Sequence, residues 1–223
     1  MKAVCLLSGG MDSATLAYYA RDMGYALLPL HIRYGQRTES KELGCARRLA
    51  ARLDAEPPVV ISLDYFRVFG ASSLTDPEMA VERHEDASPQ HPTTYVPFRN
   101  ANLLAIATSF AEARGAEAIF IGVQAGDYAG YPDCRPEFIE AFRKVIDLGT
   151  MTDTPIRLFA PFVGMNKTEI LRTGFALDVP YEETWSCYGE EELACGTCSS
   201  CHYRLEAFAE TGRPDPIQYQ ERQ

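Results

Sequence analysis

A short glycine turn near the start of the chain constrains its fold more than any other feature. Residues 3–7 form an apolar run, residues 8–13 read Ser-Gly-Gly-Met-Asp-Ser, and residues 13–23 carry alanine, leucine and tyrosine at helical spacing. A buried strand that turns directly into a helix presents backbone N–H groups and the positive end of the helix dipole at one point. The sequence therefore predicts an α/β chain with an anion site, most naturally for phosphate, at this turn.

The residue types in the turn match the needs of a bound nucleotide. Glycines let the backbone approach a ligand closely, Ser8 and Ser13 add hydroxyl donors, and Asp12 is placed to cap the helix and to help hold Mg²⁺. The turn lacks the lysine ending of a Walker A loop and the three spaced glycines of a dinucleotide site. We therefore predict ATP binding here, with a plain tight turn as the alternative. The predicted contact residues are Leu7, Ser8, Gly9, Gly10, Met11, Asp12, Ser13, Ala14, Thr15, Leu16 and Ala17.

The rest of the chain alternates strand and helix patterns. The predicted elements are strands at 26–32, 59–63, 118–121 and 156–160, and helices at 38–53, 100–114, 136–148 and 167–173. This alternation predicts a Rossmann-like, doubly wound parallel sheet with helices on both faces. Residues 70–97 show little periodicity and fit either a mobile surface loop or a lid. We predict one α/β domain over 1–180, and a cysteine-bearing segment with a C-terminal helix over 181–223.

The last four of the seven cysteines are spaced for a metal site. Cys187, Cys195, Cys198 and Cys201 follow the pattern C-x7-C-x2-C-x2-C, which can bring four thiolates around one tetrahedral ion. Zinc suits this set best, and four protein ligands leave no open position, so the metal is predicted to be structural. An iron–sulfur cluster and a set of free or redox-active thiols are the alternatives.

The other three cysteines have different surroundings. Cys5 lies in the first apolar run and Cys45 in the middle of a helical pattern, so both are predicted to pack as small core residues. Cys134 stands between Asp133 and Arg135, where it is either an activated thiol or another packing residue.

Charge and hydropathy narrow the functional class. The formal net charge of −10 repels a phosphate backbone, so a small-molecule substrate is expected rather than a nucleic acid. No apolar run is long enough for a bilayer span or a secretory signal, and clustered cysteines without such a signal indicate reduced thiols. The sequence therefore predicts a cytoplasmic protein with no membrane and no direct nucleic-acid partner.

Four further segments give the chain a resemblance to a known enzyme family. Tyr-Gly-Gln-Arg at 34–37, Tyr-Val-Pro-Phe-Arg-Asn at 95–100, Gly-Tyr-Pro-Asp-Cys-Arg at 130–135 and the cysteine cluster occur in the order typical of 7-cyano-7-deazaguanine synthases. The glycine turn is similar to the pyrophosphate loop of the N-type ATP pyrophosphatases, the superfamily that contains that family. The resemblance covers about residues 4–204, and the stretch at 130–135 is its most specific part.

The resemblance implies a fold, a reaction and partners. It implies an adenine nucleotide alpha-hydrolase-like fold with a C-terminal zinc-binding segment, in a homodimer. The implied reaction converts 7-carboxy-7-deazaguanine and ammonia into the nitrile, with ATP and Mg²⁺, through an adenylated acid, an amide and an adenylated amide. Superfamily members often carry a lysine at the position of Lys167, so Asp12, Ser13 and Lys167 are expected to act in catalysis.

The matched motifs also supply candidate substrate contacts. Arg99 is suited to a substrate carboxylate or phosphate, or forms a surface ion pair, and Asn100 caps its helix or bonds a purine edge. Asp127 and Asp133 fit the N–H edge of a guanine-like ring or the orientation of ammonia, with turn capping as the alternative. Tyr131 either stacks on the heterocycle or lies exposed in its turn.

The chain departs from the family pattern at several positions. Met11 stands where glutamine is common, Arg33 where an acidic residue often precedes Tyr-Gly-Gln-Arg, and Phe98 where glycine usually precedes Arg-Asn; residues 122–127 also deviate. Three other functions stay open from sequence. They are a tRNA-base thiolation enzyme of the superfamily, a relative that stops at the amide or takes another carboxylate, and a non-catalytic docking module. The first expects an RNA-binding module and a basic face, which the sequence does not show.

Overall fold

The architecture is built on one parallel sheet. The computed structural model describes residues 1–124, 126, 130–151 and 155–221. The strands found there are β1 (Lys2–Leu6), β2 (Ala26–Arg33), β3 (Val59–Ser62), β4 (Ala118–Phe120) and β5 (Arg157–Phe159). They pair in parallel in the order β3-β2-β1-β4-β5.

Helices cover both faces of this sheet. The helices are α1 (Met11–Asp22), α2 (Glu39–Arg52), α3 (Tyr65–Phe69), α4 (Arg99–Arg114), α5 (Pro136–Gly149), α6 (Lys167–Ala176) and α7 (Ser199–Glu210). Alternate residues of β1 point to opposite faces. Ala3 and Cys5 therefore enter a core shared with α1, α2, α6 and α7, while Val4 and Leu6 enter a second core with α3, α4 and α5. The predicted doubly wound parallel sheet is confirmed.

The two lone cysteines of the first half are core residues, as predicted. Cys5 in β1 is fully buried, and burial raises the pKa of its thiol to about 12, so the group stays neutral. Cys45 is buried on α2, where Arg48 donates a hydrogen bond to its sulfur at 3.2 Å. Burying these two small apolar groups contributes to the hydrophobic stabilisation of the fold.

Residues 70–97 form a packed surface segment. The Arg37 guanidinium donates hydrogen bonds to the carbonyls of Ser73 and Asp76, each at 2.8 Å. Farther along, the His84 backbone N–H donates to the Thr197 carbonyl at 2.8 Å, which ties the segment to the cysteine-bearing region. The sequence left a mobile loop and a lid open for this segment. Its backbone bonds instead fasten it to the body of the protein.

The order of the strands places a crevice above β1. From β1 the chain passes to β2 and β3 on one side of the sheet and later to β4 and β5 on the other. In doubly wound sheets the ligand crevice lies outside the carboxyl ends of the strands at such a reversal. None of the helices in the described parts of the chain is long and apolar enough to cross a lipid bilayer.

Candidate active site

A cavity of about 250 Å³ opens at the carboxyl ends of the central strands. Leu6 of β1, Leu30 of β2 and Ile121 after β4 contribute its apolar floor. The glycine turn, the first residues of α4 and α6, and the chain leading into α7 form its walls. Distant parts of the sequence therefore meet around one opening where the strand order reverses beside β1.

The glycine turn is held tightly against α2. Gly9 has a φ of +94°, and a Cβ built there would lie 2.4 Å from the Glu42 carbonyl oxygen, so only glycine fits. Ser13 Oγ accepts the Gly9 N–H at 3.2 Å and donates to the Gly10 carbonyl at 3.0 Å. Ser8 Oγ accepts the Gly10 N–H at 3.2 Å and lies 3.0 Å from Ser13 Oγ. The two serines therefore preform the turn.

Helix α1 begins at this turn without a side-chain cap. Gly10 is its N-cap residue, and no side chain bonds the first N–H groups. The prediction that Asp12 caps the helix is wrong, because the carboxylate turns to Lys167 instead. The uncapped N–H groups and the helix dipole are left available for an anion.

The predicted ATP contacts fall into two groups. Those that line the cavity are Leu7, Ser8, Gly10, Met11, Asp12 and Ser13. Gly9 lies behind the turn, and Ala14, Thr15, Leu16 and Ala17 are buried along α1 away from the opening. The Thr15 hydroxyl lies 2.7 Å from the Tyr181 hydroxyl in the core. The structure thus presents only the first turn of α1 to a ligand, because the helix axis leads away from the cavity.

Lys167 and Asp12 form an ion pair at the edge of the cavity. Lys167 Nζ donates to Asp12 Oδ2 at 2.7 Å. Lys167 is the first residue of α6, and a capping box between Asn166 and Glu169 fixes where that helix starts. The second carboxylate oxygen, Asp12 Oδ1, is buried without a hydrogen-bond partner among the residues described. Such an oxygen beside an anion site fits a bound Mg²⁺ ion.

Helix α4 brings Arg99 and Asn100 to another wall of the cavity. Arg99 donates to the Tyr34 hydroxyl at 3.1 Å, and its guanidinium carbon lies 5.3 Å from the centroid of that ring. Asn100 Nδ2 donates to Cys134 Sγ at 3.1 Å. All four side chains contribute to the lining, so the Tyr-Gly-Gln-Arg, Arg-Asn and Asp-Cys-Arg motifs meet here.

Asp133 and Tyr131, predicted as substrate contacts, lie outside the lining of the cavity. Asp133 Oδ2 accepts the Asn100 backbone N–H at 2.7 Å and so caps α4; burial raises the pKa of this carboxyl. The Tyr131 hydroxyl lies 2.6 Å from the Thr94 hydroxyl. The Asp133 carboxylate is therefore engaged as a cap of α4, where the sequence offered capping of its own turn as the alternative, and Tyr131 is engaged away from the opening. Asp127 falls outside the described residues.

Two of the departures from the family pattern, Phe98 and Arg33, lie outside the cavity. Phe98 is the N-cap residue of α4 and has a φ of +56°, in the left-handed region. Glycine adopts this region without steric cost, which explains a glycine preference at this position. Its ring is exposed and lies edge-on to Phe138, 6.2 Å between centroids. Arg33 forms an ion pair with Glu39. Neither Phe98 nor Arg33 lines the cavity, whereas Met11 does.

Several residues that complete the cavity belong to no motif in the sequence. Trp185, Ser186, Tyr188 and Ser200 come from the chain around the cysteines, and no motif marked them. Their proximity to the cysteine cluster was the available signal, since four cysteines with metal-site spacing indicate a compact segment, and a compact segment beside the sheet also forms a wall.

Glu42 on α2 was also missed. Its carboxylate accepts hydrogen bonds from Gln36 Nε2 at 3.0 Å and from Thr38 Oγ1 at 2.9 Å. Burial raises the pKa of Glu42 in spite of these two bonds. The signal in the sequence was its position one helical turn after the Tyr-Gly-Gln-Arg motif.

The four predicted metal ligands are brought together. The Sγ atoms of Cys187, Cys195, Cys198 and Cys201 lie within 4.8 Å of one another. Backbone N–H groups of Thr197 and Cys198 donate to Cys195 Sγ at 3.4 and 3.3 Å, which favours the thiolate form that a metal requires. Four converging sulfurs with this support fit one tetrahedral ion.

The cysteine segment is bonded directly to the glycine turn. The Trp185 backbone N–H donates to the Gly9 carbonyl at 2.9 Å. The indole N–H of Trp185 donates to the Glu190 carbonyl at 2.9 Å, and the Lys41 ammonium lies 4.4 Å from the centroid of its ring. The segment therefore both walls the cavity and supports the turn from outside.

Comparison with known proteins agrees with this geometry. The family model described as "Queuosine biosynthesis protein QueC" matches residues 2–212. Proteins named 7-cyano-7-deazaguanine synthase from Methanospirillum hungatei JF-1 and Methanosphaerula palustris are 65% and 63% identical, over 98% and 99% of this chain and 100% of each relative. The solved structure of NMN synthetase from Francisella tularensis matches with a TM-score of 0.51 at 18% identity, over 95% of this chain and 77% of that one, which supports the fold alone. The cavity thus sits within a chain that belongs to the queuosine biosynthesis protein QueC family.

Proposed function

We propose that the protein is an ATP-dependent carbon–nitrogen ligase that converts 7-carboxy-7-deazaguanine and ammonia into 7-cyano-7-deazaguanine. The observation that carries this proposal is the identity of 65% and 63% to two proteins named for that product, over their full lengths. The preformed anion site at the glycine turn supports it independently, because activation of a carboxylic acid by ATP needs a grip on the phosphates.

The glycine turn binds the outer phosphates of ATP. The uncapped N–H groups of α1 and the hydroxyls of Ser8 and Ser13 supply donors at the positive end of the helix dipole. Asp12 holds Mg²⁺, which when bound neutralises phosphate charge and orients the triphosphate. Lys167 adds a positive charge on the other side of the same opening. Held in this way, the nucleotide presents its α-phosphorus to the substrate.

Two activations of the same carbon account for the product. A carboxylate oxygen bonds to the α-phosphorus and pyrophosphate leaves; ammonia then bonds to the acyl carbon, AMP leaves, and the nitrogen loses its extra proton to give the amide. The amide oxygen is adenylated by a second ATP. Loss of AMP and the two remaining nitrogen protons leaves the carbon–nitrogen triple bond. The apolar floor, including Leu30 and Ile32, keeps water from the activated carbon.

Cofactors, partners and location extend the proposal. The four cysteines hold a structural zinc ion. This ion keeps the cysteine-bearing segment, predicted over 181–223, folded against the α/β domain, predicted over 1–180. The protein acts in the cytoplasm as a homodimer on free small molecules rather than on tRNA. The net charge of −10 supports the last point, since it disfavours contact with a polyanion.

Product analysis tests the function directly. Purified protein is incubated with ATP, Mg²⁺, ammonium and 7-carboxy-7-deazaguanine, and the products are identified by mass spectrometry and nucleotide chromatography. The expected result is the nitrile together with two AMP for each nitrile formed. Accumulation of the amide alone would identify a relative that stops halfway. Absence of AMP formation in the presence of the acid would refute the proposal.

A further inference from the structure

We infer that Glu42 reads the substrate's heterocycle, accepting the ring N–H and the neighbouring amino group of a guanine-like edge, and so determines specificity for the acid. The inference rests on the proposed function and names a residue that no motif identified. The cavity has to recognise the hydrogen-bonding edge of the substrate's heterocycle. A 7-deazaguanine ring presents two adjacent donors, and a carboxylate is the side chain that accepts from both.

Two carboxylates line the cavity within the described parts of the chain, those of Asp12 and Glu42. Asp12 lies at the phosphate-binding turn and is paired with Lys167. Asp133, the other described aspartate considered for this edge, is used to cap α4. Glu42 is therefore the described cavity carboxylate that is left for the heterocycle.

The Glu42 carboxylate is also oriented in advance. Each oxygen receives one hydrogen bond from the chain, Oε2 from Gln36 and Oε1 from Thr38. Gln36 and Thr38 are buried, and Gln36 Oε1 is itself fixed by the Tyr34 backbone N–H at 2.8 Å. Since an ionised carboxylate oxygen has two lone-pair sites, each oxygen retains one acceptor site for a ligand. A group held by its own supporting bonds discriminates well because it does not reorganise on binding.

Arg99 completes a complementary edge. Arg99 lines the same cavity as Glu42, and its positive charge opposes the rise that burial causes in the pKa of Glu42. A guanine-like ring carries a carbonyl oxygen next to its ring N–H. One Arg99 N–H faces that oxygen, and the two Glu42 oxygens face the two donors of the ring. The protein thus presents one donor and two acceptors, which match the one acceptor and two donors of the guanine-like edge.

The test compares two substrates on one enzyme. The ratio of kcat/KM for 7-carboxy-7-deazaguanine to that for its analogue without the 2-amino group is measured from AMP release at saturating ATP. Wild-type protein is expected to prefer the amino compound roughly 10- to 100-fold, the cost of leaving a buried acceptor unpaired. Glu42→Gln and Glu42→Asp should reduce this preference to within roughly threefold. Glu39→Gln, on the same helix but outside the cavity lining, should keep it.

The possible results distinguish a failure of the Glu42 inference from a failure of the proposed function. Retention of the full preference by both Glu42 variants would overturn the inference, and so would a raised KM for ATP with the preference unchanged, which would assign Glu42 to the nucleotide. A purely supporting role would lower activity with both acids equally. Failure of wild-type protein to turn over either acid would instead refute the proposed function. If Glu42→Gln does not fold by circular dichroism, Glu42→Asp, which keeps the charge, provides the measurement.

Discussion

Lys167 Nζ donates to Asp12 Oδ2 at 2.7 Å, which joins the first turns of α1 and α6 across 155 residues of the chain. Both side chains are partly shielded, with 16% and 22% of their surfaces exposed. The second oxygen of Asp12 has no hydrogen-bond partner in the described regions. The pair thus places a carboxylate with one free oxygen among the described residues and a lysine ammonium at one point of the cavity, where the proposed function needs a metal ligand and a phosphate contact.

Asp12→Asn is expected to lower kcat/KM for AMP release by roughly 100- to 1000-fold, because a neutral amide neither holds Mg²⁺ nor pairs with Lys167. The thermal unfolding midpoint should change little, since a partly exposed ion pair contributes only modestly to stability. Asp22→Asn, at the exposed end of the same helix, is the control and should retain activity. Near-normal activity of Asp12→Asn would contradict the assignment.

Gly9→Ala is expected to lower the free energy of unfolding by about 2–5 kcal/mol, because left-handed strain adds to a close contact with the Glu42 carbonyl. Gly24→Ala is a matched control, since Gly24 has a φ of +85° but nothing within 4 Å of a built Cβ. Strain alone should cost that variant about 1 kcal/mol. Urea unfolding measures both. Equal losses would mean that α2 does not press on the turn.

Cys198→Ser is expected to release the bound metal, lower the unfolding midpoint and weaken ATP binding roughly fivefold or more. The last effect follows because the segment that carries the cysteines donates the Trp185 N–H to the turn. Elemental analysis and calorimetry with ATP provide the measurements. Cys5→Ala, in the sheet core, should keep the metal. Iron and visible absorbance in the purified protein would rule out the zinc assignment.

His31 is expected to make the protein less stable in mild acid. The side chain is fully buried on β2, with Nδ1 2.9 Å from the Leu7 carbonyl, and Nε2 has no hydrogen-bond partner among the described residues. Burial lowers the pKa of His31, although the Leu7 carbonyl opposes this. The unfolded chain therefore binds a proton more readily, so the stabilising contribution is complete above the unfolded pKa of about 6.5 and is lost as the pH falls through the lower folded value.

His31→Asn tests this dependence, because an amide can still donate to the Leu7 carbonyl but does not titrate. Urea unfolding is compared at about pH 8 and about pH 5.5 for both proteins. The wild type should lose more unfolding free energy between the two pH values than the variant does. Identical losses would show that His31 is not responsible.

Patterns within short segments of the sequence predicted the structural features that a few neighbouring residues determine. The apolar run before the glycine turn, the helical spacing after it and the close spacing of Cys195, Cys198 and Cys201 are each encoded within a few residues. Such signals are enough to predict a parallel sheet, a glycine turn at its centre and a cysteine cluster, all of which the structure contains. The short helix α3 escaped because five residues show no helical period.

Long-range contacts decided what the sequence did not reveal. Glu42 reaches the cavity because Thr38, which supports it, lies against the Cys187 carbonyl, 149 residues away in sequence. Asp133 has a carboxylate that suits the N–H edge of a substrate. In the folded chain this carboxylate accepts the Asn100 backbone N–H and caps α4 instead. Whether a carboxylate binds a ligand or caps a nearby helix depends on the three-dimensional packing around it. The spacing of residues along the chain therefore did not distinguish these two roles for Asp133.

The bond from Trp185 to Gly9 also sets an order of events during synthesis. Trp185 follows the glycine turn, every strand of the described sheet and α6 in the chain. During synthesis the turn is therefore made before the amide that braces it. The braced form of the turn is reached only once the segment that carries Trp185 has packed beside the sheet, so this bond belongs to a late step in folding.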